Sequence, residues 1–512
     1  MQSNLFAVRE QLFGKGYNDK LPPEFIPRGY LADILNAVVS EDRIEKRTGY
    51  SLIGNDTGNV SILGLCGITT AAALKRLCKF HDNGAGTEIE IFEWTGSGNW
   101  TSINSTLLAN NGNPVNCVVA ENVVYAYDGS STPVVITPGS PSTVATVPDA
   151  NHPKGKFGAW FHNFHFVAGV STNPNRLYWS ELGDSDDFTN TTTGSLDVNP
   201  DDGDEITGLN ILKDELVIFK RNRIWSLTGF GTTTFTLTNL NERITGFGTP
   251  SHRSIINTGN DLLFISHTGG VPEFRSLQRT RFGVIVEGGI ISDDITGTMK
   301  GLNETRLNQT AGAFDGRRVF WAYPLSGSTT NNQISVYDTI TKGWVRWSGV
   351  NATVFTEFNF SSESEIYFGE STANSLVYKF DTSTNDNGTA ISFRVDTRRY
   401  GGDRPEVKKK WKYFYITTET AGSYNLTVQE SPDGFTFENL ATVDLSSAGS
   451  VFPITLDSDK LGSTDVKRSR LIHVKKTSYF NQYRFVQNGL NQDAVIRDWE
   501  VLYKLRRLRD AP

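Results

Sequence analysis

Cysteine is scarce in this chain, with 3 in 512 residues. That number is odd, and the spacing of Cys66, Cys78 and Cys117 fits neither a disulfide framework nor a zinc ribbon or finger. The three read as buried, reduced thiols of a protein made in a cytosol. Methionine is rarer still, with 2. No apolar run approaches the ~18 residues of a membrane-spanning helix. Residues 1–10 lack the basic start and apolar core of a leader. Neither a leader nor membrane insertion is therefore expected. Also missing are a nucleophile elbow, a Walker loop, a dinucleotide fingerprint and a His-Glu-x-x-His helix, so neither enzymatic activity nor a cofactor is expected.

What is abundant is turn chemistry. The chain has 48 glycines, and asparagine, threonine and serine recur throughout. These residues punctuate short strands with tight turns. The net charge of −7 is uneven. From Ile391 to the end there are 20 Lys and Arg against 15 Asp and Glu, and the remainder carries 29 against 41. A DNA-gripping surface needs clustered basic residues. An acidic body suits DNA that slides past without sticking.

The organisation predicted is all-β in three parts. Residues 1–62 form an extended arm, kept open by Pro22, Pro23 and Pro27, with a short helix over Tyr30–Val39 where Leu31, Ile34, Leu35 and Val38 fall at helical spacing. Residues 63–385 repeat a unit of turn, apolar strand, turn and aromatic-ended strand. Copies run over Ile206–Trp225, Ser254–Val271, Ala311–Tyr323 with Gln333–Asp338, Val118–Asp128, Phe157–Ala168, Ser364–Glu370 and Ala73–Ile103. Two-residue turns such as Lys213-Asp214, Asn260-Asp261 and Asp315-Gly316 mark hairpins. A spacing of about 40–50 residues matches propeller blades, and about seven are expected. From 386 to 512 the strands lengthen and alternate, as in Trp411–Thr417, Tyr424–Gln429, Ser469–Lys475, Tyr483–Gln487 and Ala494–Tyr503. This predicts a β-sandwich.

Several clusters invite a chemical reading. His162 and His165 would point to opposite faces of a strand and would not share a metal. The stretch Asp197–Glu205 resembles a calcium loop but puts Asp202 where the EF-hand needs glycine and Gly208 where it needs glutamate; an acidic turn is the plainer reading. Ser431–Phe437 resembles an Asp-box turn with one residue missing, and reads as a hairpin turn. Asp184, Asp186, Asp187, Asp293 and Asp294 are the carboxylates a glycosidase could use. Trp344 and Trp347 are the aromatic platforms a glycan-binding propeller would expose. The candidate subunit-contact residues are Arg43, Lys46 and Arg47 in the arm, Lys408, Lys409, Lys410 and Lys412 at a strand entry, and Arg506, Arg507 and Arg509 near the end.

One series of blocks is distinctive by its order: Asn175–Phe188, Gly203–Gly208, Leu216–Trp225, Gly248–Ile255 and Leu262–Gly269. Together with Ile26–Asn36, Arg43, Lys46, Arg47 and Gly49 of the arm, it resembles the propeller proteins of phage tail hubs and nozzles (the P22-type stabilisation protein and the T7-type tail tubular protein B). The likeness covers most of positions 20–300. It implies a virion structural protein that forms a ring, usually of six copies, below the portal and tail adaptor. Such a ring continues the channel for double-stranded DNA without sequence-specific contact, helps retain the genome and carries fibres or a needle. A receptor- or glycan-binding propeller and a glycan-cleaving enzyme are the competing readings.

Overall fold

The structure, a computed structural model, describes residues 5–55, 60–239, 246–267, 269–280, 285–361, 364–371, 375–401, 405–419, 421–446 and 468–506. Among the described residues, seven four-stranded antiparallel units follow one another along the chain. Their inner strands are Ile62–Thr69, Asn116–Ala120, Phe157–Phe161, Ile206–Leu212, Ile256–Asn257, Ala311–Phe314 and Ala352–Phe358. Each inner strand packs on the next, and the last packs on the first. The body is therefore a closed seven-bladed β-propeller, with blades 1 to 7 in that order.

The reason lies in the sequence of each unit. Blade 4 is typical. Its second strand, Glu215–Lys220, is buried at every position, as a strand packed on both faces must be. Lys213, at φ 58°, makes the tight turn that returns it from Leu212 to Glu215.

Blade 7 is built differently. Three strands come from residues 352–380, and the fourth is Tyr50–Leu52 of the arm, antiparallel to Val377–Phe380. A strand from one end of the sequence thus completes the last blade. Gly49 permits the close approach of arm and linker, since a Cβ there would lie 1.8 Å from the Asn385 carbonyl oxygen.

The C-terminal part is a two-sheet sandwich. One sheet centres on Lys409–Thr418 and Val495–Leu505, and accepts Phe6–Glu10 and the hairpin of Ala37–Val39 with Ile44–Lys46. The other runs Phe393–Asp396, Gln482–Gln487, Asn425–Ser431 and Glu438–Asp444. Phe414 packs at a tilt on Tyr483 with ring centroids 4.4 Å apart, and Trp499 on Phe485 at 5.1 Å. The second sheet does not stop at the domain edge. Asp33–Leu35 joins its Phe393–Asp396 strand to Trp344–Trp347, the outer strand of blade 6. Propeller and sandwich therefore share one sheet. They also share one hydrophobic core, which runs from Phe274 in blade 5 through Trp321, Trp344 and Trp347 to Trp411 and Trp499. Each such aromatic removes ~200 Å² from water, worth about 5 kcal/mol before entropy is charged against it.

The helix predicted over Tyr30–Val39 is absent. Two strands, Asp33–Leu35 and Ala37–Val39, stand there with Asn36 between them at φ 55°. Ile34 and Ala37 are buried because sheets lie on either side. Tertiary pairing overrides the apolar spacing, and the β-branched pair Val38-Val39 favours the outcome.

Candidate interaction surfaces and the central tunnel

The ten basic residues expected at subunit contacts divide sharply. Arg47 is fully buried. Its guanidinium makes a two-pronged pair with Asp386 at 2.6 and 2.8 Å and donates to Asn36 Oδ1, Thr48 O and Ser348 O, each at 3.0 Å. It also lies 5.2 Å from the Trp347 ring. Lys46 is buried too, donating to Gln487 Oε1 at 2.7 Å, and burial pulls its amine down to about 8. Both residues are consumed inside the subunit, where they hold arm, blade 6 and sandwich together. Arg43 is half-buried beside Glu45 at 3.3 Å.

In the Lys408–Lys412 stretch the strand alternates. Lys409 and Trp411 face the interior, with Lys409 Nζ on the Tyr479 carbonyl at 3.1 Å and its amine pulled down by burial. Lys408 and Lys410 are exposed, and Lys412 is half-buried. Lys410 faces Lys504 across the sheet, and the Arg506 amide bonds the Lys408 carbonyl at 2.9 Å. A basic strip therefore does form on the sandwich, from Lys408, Lys410, Lys504 and the exposed Arg506. Lys46, Arg47 and Lys409 are corrected to internal roles. Arg507 and Arg509 lie outside the described residues.

Most of the chemical candidates are accounted for by local structure. Trp344 and Trp347 are not platforms: both are buried, with their indole N–H groups on Ile291 O and Ala37 O at 2.9 Å. His162 sits in the tight turn of blade 3, while His165 is buried on the following strand. His165 Nδ1 lies 2.8 Å from the Ser185 carbonyl, which can only accept, so Nδ1 carries the proton and Nε2 accepts from the Tyr127 hydroxyl at 3.0 Å. Burial and neighbouring His152 pull His165 down to about 3.

In the calcium-like stretch the cation is the protein's own. Lys220 Nζ lies 2.8 and 2.9 Å from the two Asp202 oxygens and 3.0 Å from Asn199 O. Burial opposes ionisation of Asp202, but Lys220 and Arg223 hold it below its ordinary value. Asp433 caps its hairpin turn by accepting from the Phe435 and Thr436 amides at 2.9 and 3.0 Å, which pull it down to about 2. Asp293 and Asp294 tie down the arm through Lys20, Asn18 and Tyr30. The three cysteines, all free, meet at the junction of blades 1 and 2. Cys66 lies opposite Cys78, and hydrogen bonding to Cys117 and Cys78 together with burial pushes its thiol well up. Among the described residues no cluster of His, Cys, Asp or Glu is arranged to hold a metal, and no helix is long and apolar enough to cross a membrane.

The sequence reading missed Arg253. It rises from the turn before blade 5 into the central tunnel. Its guanidinium reaches the Val115 carbonyl at 2.8 Å, Asn116 Oδ1 at 3.3 Å, the Leu63 carbonyl and, at 3.5 Å, the Thr353 carbonyl. One side chain thus pins blades 1, 2 and 7 from the opposite wall. The tunnel surrounds it, and that burial pulls it down to about 10. Cavities of about 190 and 330 Å³ remain, both lined in part by His252 and Arg253. With its guanidinium bonded to the far wall, Arg253 crosses the tunnel rather than lining an open bore.

No family model matches the chain, and no curated protein matches it in sequence. Among solved structures, the N-terminal domain of Nup159 superposes with a TM-score of 0.41 at 12% identity, over 68% of this chain and 98% of that one. The WD40 domain of Neurospora crassa Pan2 gives 0.39 at 9%, over 66% and 97%. An exo-β-1,3-galactanase of Phanerochaete chrysosporium gives 0.26 at 10%, over 89% and 100%. The propeller is defined by its own seven sheets rather than by these likenesses.

Proposed function

We propose that this chain is a structural protein of a tailed-phage virion, a nozzle or hub subunit that assembles with copies of itself, six by the family resemblance, beneath the portal and tail adaptor. In this reading it has no catalytic role, docks a fibre or needle, helps retain the genome, and resides in the phage tail. The observation that carries the reading is the weave of the chain: the arm closes blade 7, joins the sandwich sheet and bridges it to blade 6. A propeller with a completed last blade and a sandwich fused to its edge is a rigid block, as a load-bearing ring needs. The block order from Asn175 to Gly269 and the acidic body support the same role. With the tunnel crossed by Arg253, DNA would pass along the ring axis between copies. The buried positions of Trp344 and Trp347 remove the feature that favoured a glycan-binding reading.

The test is electron microscopy of purified particles of the phage that encodes the chain, labelled with an antibody against it. Label at the tail, in a few copies per particle, is the expected result. Unlabelled particles with free protein in the lysate would overturn the reading.

A further inference from the structure

Two exposed apolar features on this chain are complementary. The first is a groove of about 550 Å³ at the sandwich, lined by Phe6, Val8, Phe25, Arg28, Tyr400 and Phe480 among others. Phe25 is 70% exposed at its rim, and Phe435 is 85% exposed with the Arg399 guanidinium 5.9 Å from its ring. The charge of the groove is positive. Arg398 is matched by Glu10 at 2.8 Å and Arg399 by Glu24 at 3.2 Å, while Arg28 is exposed with no ion pair among the described residues.

The second feature projects. Phe230, 73% exposed at the tip of the last hairpin of blade 4, rests on His162 with ring centroids 4.4 Å apart. Exposed Leu182 belongs to a loop tied to the same blade 3 turn by the bond from the Gly183 amide to the Asn163 carbonyl at 2.8 Å. Its loop carries Glu181, Asp184, Asp186 and Asp187, and no Lys or Arg occurs from 180 to 193. Asp187 is held below its ordinary value by the Thr189 amide and hydroxyl, so it is ionised.

Contiguous exposed apolar surface rimmed by charge marks an interface. The groove is lined by the arm and the sandwich, which joins the propeller at blade 6, and the projection lies at blades 3 and 4, two to three blades around the ring. They therefore cannot meet within one copy. We propose that Leu182 and Phe230 of one copy seat in the Phe25–Arg28 groove of a second copy, with the acidic loop against Arg28. Such a contact is heterologous, so every copy offers one unfilled half, and repetition closes a ring when the rotation permits. The acidic-on-basic match fixes orientation and rejects the reverse pairing. This deepens the ring reading above, and its test uses the purified chain rather than the virion.

The experiment is sedimentation velocity on the full chain at micromolar concentration. Wild type is expected to sediment as a closed oligomer. A projection variant, Leu182→Asp with Phe230→Asp, and a groove variant, Phe25→Asp with Arg28→Glu, are each expected as monomers with unchanged melting temperature, since all four side chains are exposed. An equal mixture of the two variants is expected to give dimers, because one copy keeps a good groove and the other a good projection. A monomeric wild type, a variant that assembles as wild type does, or a mixture that stays monomeric would overturn the contact. Tail label with unaffected variants would sink the contact and leave the tail reading. An oligomer broken by both variants, with unlabelled virions, would do the reverse.

Discussion

Arg47 donates all five of its N–H groups inside the protein, two of them to Asp386. A guanidinium so placed contributes less through net attraction than through what its removal leaves behind, because a buried pair repays its own desolvation only in part. Arg47→Met is expected to lower stability by about 3–5 kcal/mol, since Asp386 is left buried and unmatched. Adding Asp386→Asn should recover part of that loss, and urea unfolding of the single and double variants measures the coupling. His165 gives a second residue-scale expectation. Its folded value of about 3 lies below the ordinary histidine value near 6.5. Between those values the unfolded chain binds a proton that the folded chain refuses, so stability falls as pH falls from 6.5 toward 3. At pH 5 the loss is about 2 kcal/mol. His252, pulled down to about 4 by burial and by Arg253, adds a loss of the same sign. Melting temperature measured from pH 7 to pH 5 should drop for wild type and drop less steeply for His165→Gln.

The elements differ in how legible they are. Hairpins of the inner two strands announce themselves, because both strands are apolar and the turn between them carries Lys213-Asp214 or Asp315-Gly316. That is why about seven blades could be read from the sequence. Outer strands do not: Thr143–Thr146 of blade 2 is mostly exposed and has no apolar rhythm to detect. The closing strand Tyr50–Leu52 is three residues long, and its partners lie at Val377–Phe380, so no local pattern could reveal it. The same distance hides the fate of Lys46, Arg47 and Lys409, whose burial depends on partners far along the chain, and of Arg253, whose acceptors come from three blades. Ser51 faces Lys379, and the neighbouring Ile53 amide bonds the Val377 carbonyl at 3.0 Å. Ser51→Pro removes a ladder donor, and Gly49→Ala drives a Cβ into the Asn385 carbonyl. Each is expected to open blade 7, seen as limited proteolysis between blades 7 and 1 at temperatures where wild type resists.

At the scale of the whole molecule, the arm decides whether this is one body or two. Chains built of separate domains commonly unfold in separate steps. Here one core spans blades 5, 6 and 7 and the sandwich, and one sheet crosses from blade 6 into the sandwich through Asp33–Leu35. Asp33 stands at that crossing, between Arg346 of blade 6 and Arg394 of the sandwich. Burial opposes its ionisation, but the two arginines hold its carboxyl below the ordinary value. Wild type is therefore expected to show a single calorimetric transition. Asp33→Asn leaves two guanidinium groups facing each other across the seam without the charge that joined them. It should lower the melting temperature and split the transition, with one step reported by sandwich tryptophans Trp411 and Trp499 and the other by loss of propeller strand signal. If the variant melts in one step at the wild-type temperature, the seam is held by apolar packing alone, and the ion triad is dispensable to the union of propeller and sandwich.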